Sequence, residues 1–371
     1  MKKTLIAIAA LAATGAFAQS SVQLDGLVDA GYYSLNNRGK TATGFSNNLA
    51  GISQFNLRGT QDLGGGLMAG FRMESDINPT QNAANTGSTV DAAGAAGTTK
   101  GTATTFLNGE QKLFIGSATM GTLAMGAVNN LGLDSHGTAQ PFGTAIGSGF
   151  RATSTSQAVA SVAGIQAAAV RYDNSVRYDS PKFAGGLGLT YQGRGAQTTA
   201  TSSAYAAFGS QQQSAIRDLG ATYNAGPINA VIATMTDDNT SNAGNLSKLL
   251  TAGVNYNMGA TTLYGGLQQS KTSSAAGVET GKLSQYNFAA KYVTGVNTFM
   301  AQYAKVSNKL ADGKSTTIGL GYNYALSKSA DIVARYERIT DEIGLTATAA
   351  PFNGTDGNTR TRLGAGLQVR F

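Results

Sequence analysis

The stretch Arg360-Thr361-Arg362-Leu363-Gly364-Ala365-Gly366-Leu367-Gln368-Val369-Arg370-Phe371 alternates in character to its last residue. Leu363, Ala365, Leu367, Val369 and Phe371 share one parity, and Arg360, Arg362, Gly364, Gly366, Gln368 and Arg370 share the other. A β-strand turns successive side chains to opposite faces, so this segment reads as a strand with one apolar and one polar face. A helix would scatter both sets around its axis. A strand with that contrast suits a sheet one molecule thick, with hydrocarbon on one side and water on the other.

The same pattern recurs towards the start of the chain. Val22, Leu24, Gly26, Val28, Ala30 and Tyr32 alternate with Gln23, Asp25, Asp29 and Gly31. Phe55 and Leu57 alternate with Gln54, Asn56 and Arg58, and Leu67, Ala69, Phe71 and Met73 with Gly70, Arg72 and Glu74. Further segments centre on Val176, Val254, Phe288 and Leu320. Tyr32, Tyr178, Tyr191, Tyr223, Tyr256, Tyr292, Tyr322 and Tyr336 fall near strand ends on the apolar parity, as rings with a polar tip do at a membrane interface. A soluble β-sandwich needs an apolar interior, and the polar inner parity argues against one.

Two kinds of connection separate these strands. Short turns lie at Asp62–Gly66, Ser180–Gly185, Asn224–Pro227, Asn257–Ala260, Thr294–Asn297 and Leu326–Ser329. Long polar segments lie near 36–48, 78–106, 129–168, 194–214, 236–247, 270–281, 307–314 and 340–358. Eight long loops predict an all-β, antiparallel transmembrane barrel of about 16 strands, at roughly 22 residues per strand and connection.

At the other end, Lys2 and Lys3 precede an apolar run from Leu5 to Ala13 and the small residues Ala16-Phe17-Ala18. This reads as a secretory signal peptide over residues 1–18, with residues 19–371 forming a single barrel domain. Beyond it no apolar stretch approaches the roughly 18 residues of a membrane helix. The chain contains no cysteine, so no disulfide framework supports it in an oxidising compartment. The net charge of +7 comes from basic residues that, after the signal, are scattered singly, which argues against nucleic-acid binding.

Taken in order, several segments resemble the general porins of Gram-negative bacteria, in particular their trimeric sixteen-stranded branch in beta-proteobacteria. They are Gln19-Ser20-Ser21-Val22 with Gly26, Val28 and Asp29, the run Leu57-Arg58-Gly59-Thr60-Gln61-Asp62-Leu63-Gly64-Gly65-Gly66-Leu67, and Asn174-Ser175-Val176-Arg177-Tyr178 with Ser180-Pro181. The Leu326-Ser327-Lys328 turn and terminal Phe371 complete the likeness. The resemblance implies a cell outer-membrane porin, a water-filled channel for passive diffusion of small hydrophilic solutes and ions. It further implies a homotrimer surrounded by outer-membrane lipid and lipopolysaccharide, with the second loop latching onto a neighbouring subunit. The third external loop, from 129 to about 168, is expected to fold inward and narrow the pore, with Pro141-Phe142-Gly143 at its tip. Phe371 resembles the signal read by the outer-membrane insertion machinery. The sequence departs from the branch at Gln54 and at Gly126-Ala127, where arginines are usual, and at Gln61, where an acid is usual. The constriction is therefore expected to be less basic than in relatives.

The working parts of such a protein are charges in an electrostatic lining. Strand parity places Arg58, Arg72, Arg171, Arg177, Lys291, Arg335, Arg360, Arg362 and Arg370 inside, against Asp25, Asp29, Glu74, Asp173, Asp179 and Glu337. Nine cations against six acids predict a weak anion preference. Arg171 matches a family constriction arginine, and Arg58, Arg72, Glu74, Arg177 and the loop residue Asp134 complete the expected site.

Catalysis has little material. Asp134-Ser135-His136 contains the only histidine, and adjacent residues do not easily form a relay, so His136 reads as a solvated loop residue. One histidine and no cysteine argue against zinc, and no cofactor is expected. Gly64 to Gly66 lack the lysine of a phosphate loop and read as a turn. Asp237-Asp238-Asn239 lacks calcium-loop spacing and reads as solvated. A substrate-specific channel would need an aromatic track through the lumen, and a surface adhesin would pass no ions through a planar bilayer.

Overall fold

The computed structural model describes residues 21–37, 39–80, 107–148, 171–195, 215–239, 245–274, 276–310, 314–341 and 359–371. The signal-peptide reading, most of the second loop and the second half of the third loop fall outside the described residues. The strands are β1 (Ser21–Asn37), β2 (Lys40–Ser46), β3 (Gln54–Gly64), β4 (Leu67–Asp76), β5 (Gln111–Ser117), β6 (Gly121–Asn129), β7 (Arg171–Asp179), β8 (Leu187–Arg194) and β9 (Ala215–Ala225). They continue with β10 (Ile228–Asn239), β11 (Asn245–Met258), β12 (Thr261–Ser273), β13 (Glu279–Thr294), β14 (Asn297–Asn308), β15 (Lys314–Ala325), β16 (Ala330–Asp341) and β17 (Thr359–Arg370). A helix, α1 (Leu131–Ala139), lies between β6 and β7.

All pairings are antiparallel, and β1 meets β17 from Leu27↔Arg370 to Asn37↔Arg360, which closes the sheet. The seventeen segments make sixteen wall strands. One half of β1 pairs with β3, from Ser21↔Thr60 to Leu27↔Gln54, and the other half pairs with β2, from Gly31↔Ser46 to Asn37↔Lys40. β2 and β3 are therefore one strand interrupted at residues 47–53. The turns expected from the sequence join the strands at one end, where Asp62 and Asn257 side chains accept from the amides of Gly64 and Gly259 at 2.7 and 2.8 Å.

Burial is inverted relative to a soluble protein. Leu24, Leu219, Phe288 and Leu363 are exposed on the outer face, whereas Gln192, Asp218, Thr317 and Glu337 are buried on the inner one. This matches the two parities read from the sequence, including Phe371, whose backbone exchanges hydrogen bonds with Gly26 across the closing seam.

The first loop differs from expectation. Its span of 36–48 is not one polar excursion but the β1–β2 hairpin, and the chain leaves the wall only afterwards, at 47–53, where it turns inward. Asp29 holds this segment: its carboxylate accepts from the amides of Leu49 and Ala50 at 2.7 and 2.9 Å, and its own amide donates to Ser53 Oγ at 2.8 Å. Leu49 is fully buried against Tyr33, Leu35, Val333 and Ile146 of the third loop. Asp29 thus faces inward as predicted, but its charge is taken up by backbone amides.

Strand parity also fails once. A bulge between β6 and β7, with Asn174 at φ +54°, shifts the register between Gly126 and Val128. Tyr172 consequently turns inward to pack with Ile216, Met235 and Leu249, while Asp173, assigned to the lumen, is exposed. Asp237 is likewise buried rather than solvated.

Asp29→Ala leaves one buried and one half-buried amide, those of Leu49 and Ala50, without acceptors, at a cost of about 1–3 kcal/mol. The folded-to-unfolded shift in gel mobility on heating should occur at lower temperature than in the wild type. An unchanged transition would show that the inward segment does not depend on this carboxylate.

Candidate pore constriction

The third loop enters the barrel as α1. Asn130 caps the helix, its Oδ1 accepting from the Leu133 amide at 3.0 Å. Leu131, Gly132, Ser135 and Ala139 are buried on one side of the helix, with Leu131 packed on Val231 and Ala233. The wall's polar side chains then take up the loop's backbone. Asn255 Nδ2 donates to Thr138 O at 3.1 Å, Asn287 Nδ2 to Ala139 O at 2.7 Å and Gln302 Nε2 to Ser148 O at 2.9 Å. Glu337 accepts from the Gly147 amide at 3.1 Å, and Ser135 and Thr251 hydroxyls meet at 2.8 Å. The loop therefore crosses the inner wall from β10 to β16.

Glycines make this approach possible. A Cβ on Gly253 would stand 2.2 Å from Ser135 O, and one on Gly319 would stand 2.0 Å from Gly147 O. Both positions are strand interiors where only a bare backbone leaves room for another chain. At the loop tip Phe142 is 3% exposed beneath the Arg335 guanidinium, 6.0 Å from the ring centroid. Gly143 adopts φ +58°, and its carbonyl accepts from Gln140 Nε2 at 2.7 Å.

The opposite wall carries a connected ladder of charge. Asp25 binds Arg58 at 2.9 Å and accepts from Asn56 Nδ2 at 2.9 Å. Asn56 Oδ1 accepts from Arg72 Nη2 at 3.0 Å, and Arg72 also binds Glu74 and, at 2.9 Å, Glu110. Glu110 binds Lys112 at 3.1 Å and accepts from the Asn129 amide. Arg171 reaches Glu74 at 3.6 Å and donates to Asn108 O at 2.7 Å.

Arg177 links the two sides. Its guanidinium binds Asp134 on α1 at 2.8 Å and Asp179 at 3.0 Å and donates to Asn129 O. The lumen is thereby narrowed between a pinned loop and a wall of fixed guanidinium groups.

A model of Gram-negative porins matches residues 4–344. The chain belongs to the Gram-negative porins. Outer membrane porin protein 32 of Delftia acidovorans is 30% identical over 387 aligned positions covering all of both chains, and a Bordetella pertussis outer membrane porin is 29% identical over 63% of this chain and 59% of its own. Among solved structures, an anion-selective porin from Comamonas acidovorans matches with a TM-score of 0.72 at 24% identity, covering 95% of this chain and 100% of that one. OmpT of Vibrio cholerae, in its trimer form, matches with a TM-score of 0.61 at 11% identity, covering 95% and 99%. The protein is an outer-membrane porin, a β-barrel channel for passive diffusion, with its long loops on one side and short turns on the other.

Of the predicted porin site, Arg58, Arg72, Glu74 and Arg171 come together on one wall, and Arg177 and Asp134 join the loop to it. Glu110 and Lys112 were missed in the sequence; they stand two residues apart, the spacing of one strand face. The predicted surplus of inward positive charge shrinks: Glu110, Asp134 and Asp331 also face the lumen bound to arginines and Asp218 and Asp237 are buried on the inner face, against one added cation, Lys112, and the loss of Asp173. His136, expected in a solvated irregular loop, is half-buried and helical. It lies in α1, hydrogen bonded to Gly143 O at 2.9 Å, and burial lowers its pKa to about 4, leaving it neutral at pH 7. Asp134, Ser135 and His136 reach three separate partners and do not converge.

Gly253→Val and Gly319→Val place side chains where the loop backbone lies. Single-channel conductance should change in both while the barrel still folds, whereas Gly265→Val, with only Val254 Cγ1 near at 3.7 Å, should conduct normally. Wild-type conductance in both inner-wall variants would contradict the docking role of these glycines.

Proposed function

We propose that this porin favours anions weakly, works as a homotrimer and carries no catalytic activity. The observation that carries the selectivity is the layering of charge. Side chains of Arg72, Lys112 and Arg171 are 22, 27 and 21% exposed, whereas those of Glu74 and Glu110 beneath them are 6 and 2% exposed. Arg370 over Asp331 repeats the pattern at 42 against 8%. The acids orient the guanidinium groups from behind, and a passing ion meets the cations first. Asp134 and Asp179, at 36 and 40%, oppose this at Arg177 and keep the preference small. The printed selectivity of the Comamonas neighbour agrees in sign.

Phe142 and Tyr172 are 3 and 2% exposed, so neither offers a free ring to a sugar, which favours general diffusion over a dedicated substrate path. The trimer reading draws on the family resemblance and on the Vibrio neighbour. Residues 1–18 are assigned to export and Phe371 to recognition by the insertion machinery.

Under a potassium chloride gradient near 0.1 M, where screening extends only about 10 Å, the reversal potential should carry the sign of chloride preference. Arg171→Glu and Arg58→Glu should each move it towards cations. If neither moves it, the constriction lies elsewhere. Unheated protein should migrate as a trimer and, after chemical cross-linking, give three-subunit products; monomer alone would overturn the assembly.

A further inference from the structure

Strand β7 meets the helix α1 at two points. Arg177 binds Asp134 at 2.8 Å, and the Tyr172 side chain hydrogen-bonds that of Asn130, the residue that caps the helix. Asn130 and Asp134 are four residues apart, about one helical turn or 6 Å along the axis, so both points fall on one side of α1. Tyr172 and Arg177 are five residues apart and would face opposite ways in a regular strand. Two residues of β7, Asp173 and Asn174, stand against the single Ala127 of β6, and the extra residue brings both side chains to the inner face.

The Tyr172 hydroxyl sits in the middle of a directed chain of hydrogen bonds. Its one proton goes to Asp218 Oδ1 on β9, at 3.3 Å. The phenolic oxygen then accepts from Asn130 Nδ2, because Asn130 Oδ1 accepts from the Leu133 amide. Asn130, Tyr172 and Asp218 are all buried. A phenylalanine ring would pack on Ile216, Met235 and Leu249 as the tyrosine ring does, so packing alone does not account for the hydroxyl. A buried hydroxyl costs free energy unless it is hydrogen bonded, and here it is bonded on both sides. Asp218 stands two residues from Gly220, where a Cβ would meet Leu131 Cδ1 at 2.7 Å. The start of the helix is pressed onto the same strand that anchors the tyrosine.

We propose that Tyr172 is a positioning residue of the pore: through Asn130 it fixes where α1 begins, and together with Arg177 it sets the angle of the helix across the lumen. It meets no solute and acts only through the helix, and its effect on conduction rests on the reading of α1 as part of the constriction. The role accounts for the identity of the cap. Serine, threonine or aspartate would cap α1, but asparagine combines the acceptor that Leu133 needs with the donor that Tyr172 needs. It also gives the bulge at Asn174 a purpose, since without the extra residue only one of the two holding side chains would face inward.

The chain has no cysteine, so Gly137→Cys, where a Cβ would meet nothing within 4 Å, provides a single site for a nitroxide label on the exposed side of α1. Label mobility is read by electron paramagnetic resonance on the folded full-length protein, and single-channel conductance is recorded on the same variants without the label. Tyr172→Phe, which keeps the ring and loses the hydroxyl, should free the label and shift or split the conductance level. Asn130→Asp should do the same, because aspartate caps a helix as well as asparagine does but has no proton to donate to Tyr172. Asp218→Asn retains an acceptor for the hydroxyl and should match the wild type, whereas Asp218→Leu should match Tyr172→Phe. Tyr178→Phe removes an outward hydroxyl of the same strand, bonded to Met120 O at 2.8 Å, and should change neither readout. Heat-modified gel mobility identifies the variants whose barrel is folded, and those enter the comparison. A label as immobile as in the wild type in both Tyr172→Phe and Asn130→Asp would overturn the proposal. A freed label with wild-type conductance would uphold the hold on the helix and strike the constriction reading instead.

Discussion

A strand that crosses hydrocarbon has no water to satisfy its amides and carbonyls, so each must find a partner in a neighbouring strand. The pairing of β1 with β17 therefore carries the rest of the structure. Once the sheet closes, one face of every strand meets lipid and the other encloses a volume. The outward Leu, Val and Phe residues and the inward Gln, Thr, Asp and Arg residues follow from that geometry. With no cysteine, backbone pairing and the packing of inward segments hold the barrel.

The enclosed volume is then subdivided by chain that leaves the wall. The third loop carries its own capped helix but takes many of its hydrogen bonds from wall side chains, among them Asn255, Asn287, Gln302 and Glu337. The shorter excursion at 47–53 does the same through Asp29, and its Leu49 packs on Ile146 of the third loop. The two inward segments thus support one another. Glycines on the inner faces of β11 and β15 serve this docking and are not a concession to turn geometry.

Charge in the lumen is arranged in layers. Most inward acids lie behind an arginine or bridge to one, which fixes the guanidinium groups and leaves them in contact with water. A site of this kind depends on few free charges, and its selectivity reflects which member of each pair is nearer the passage. Arg177 differs because its partners Asp134 and Asp179 are the more exposed members, and it serves to hold α1.

The barrel, its strand number, the turn and loop ends and the two faces of each strand were determined by the sequence alone, because a period of two is a local property of the chain. The closing strand from Arg360 to Phe371 shows this most directly. Three things only the tertiary structure decided. The bulge at Asn174 reversed the parity that had put Asp173 in the lumen, since one extra residue moves its neighbours to the other face, while Arg171 at the strand end still reaches Glu74. The partners of the inward charges, Glu110 and Asp331 among them, come from strands brought together by register, and acids that the parity count had not included offset most of the surplus it implied. The interior glycines and Asp29 carry no local sign of the loops that dock on them. Their purpose appears only when chain distant in sequence arrives at the wall, because a contact between remote segments leaves no periodicity in either one.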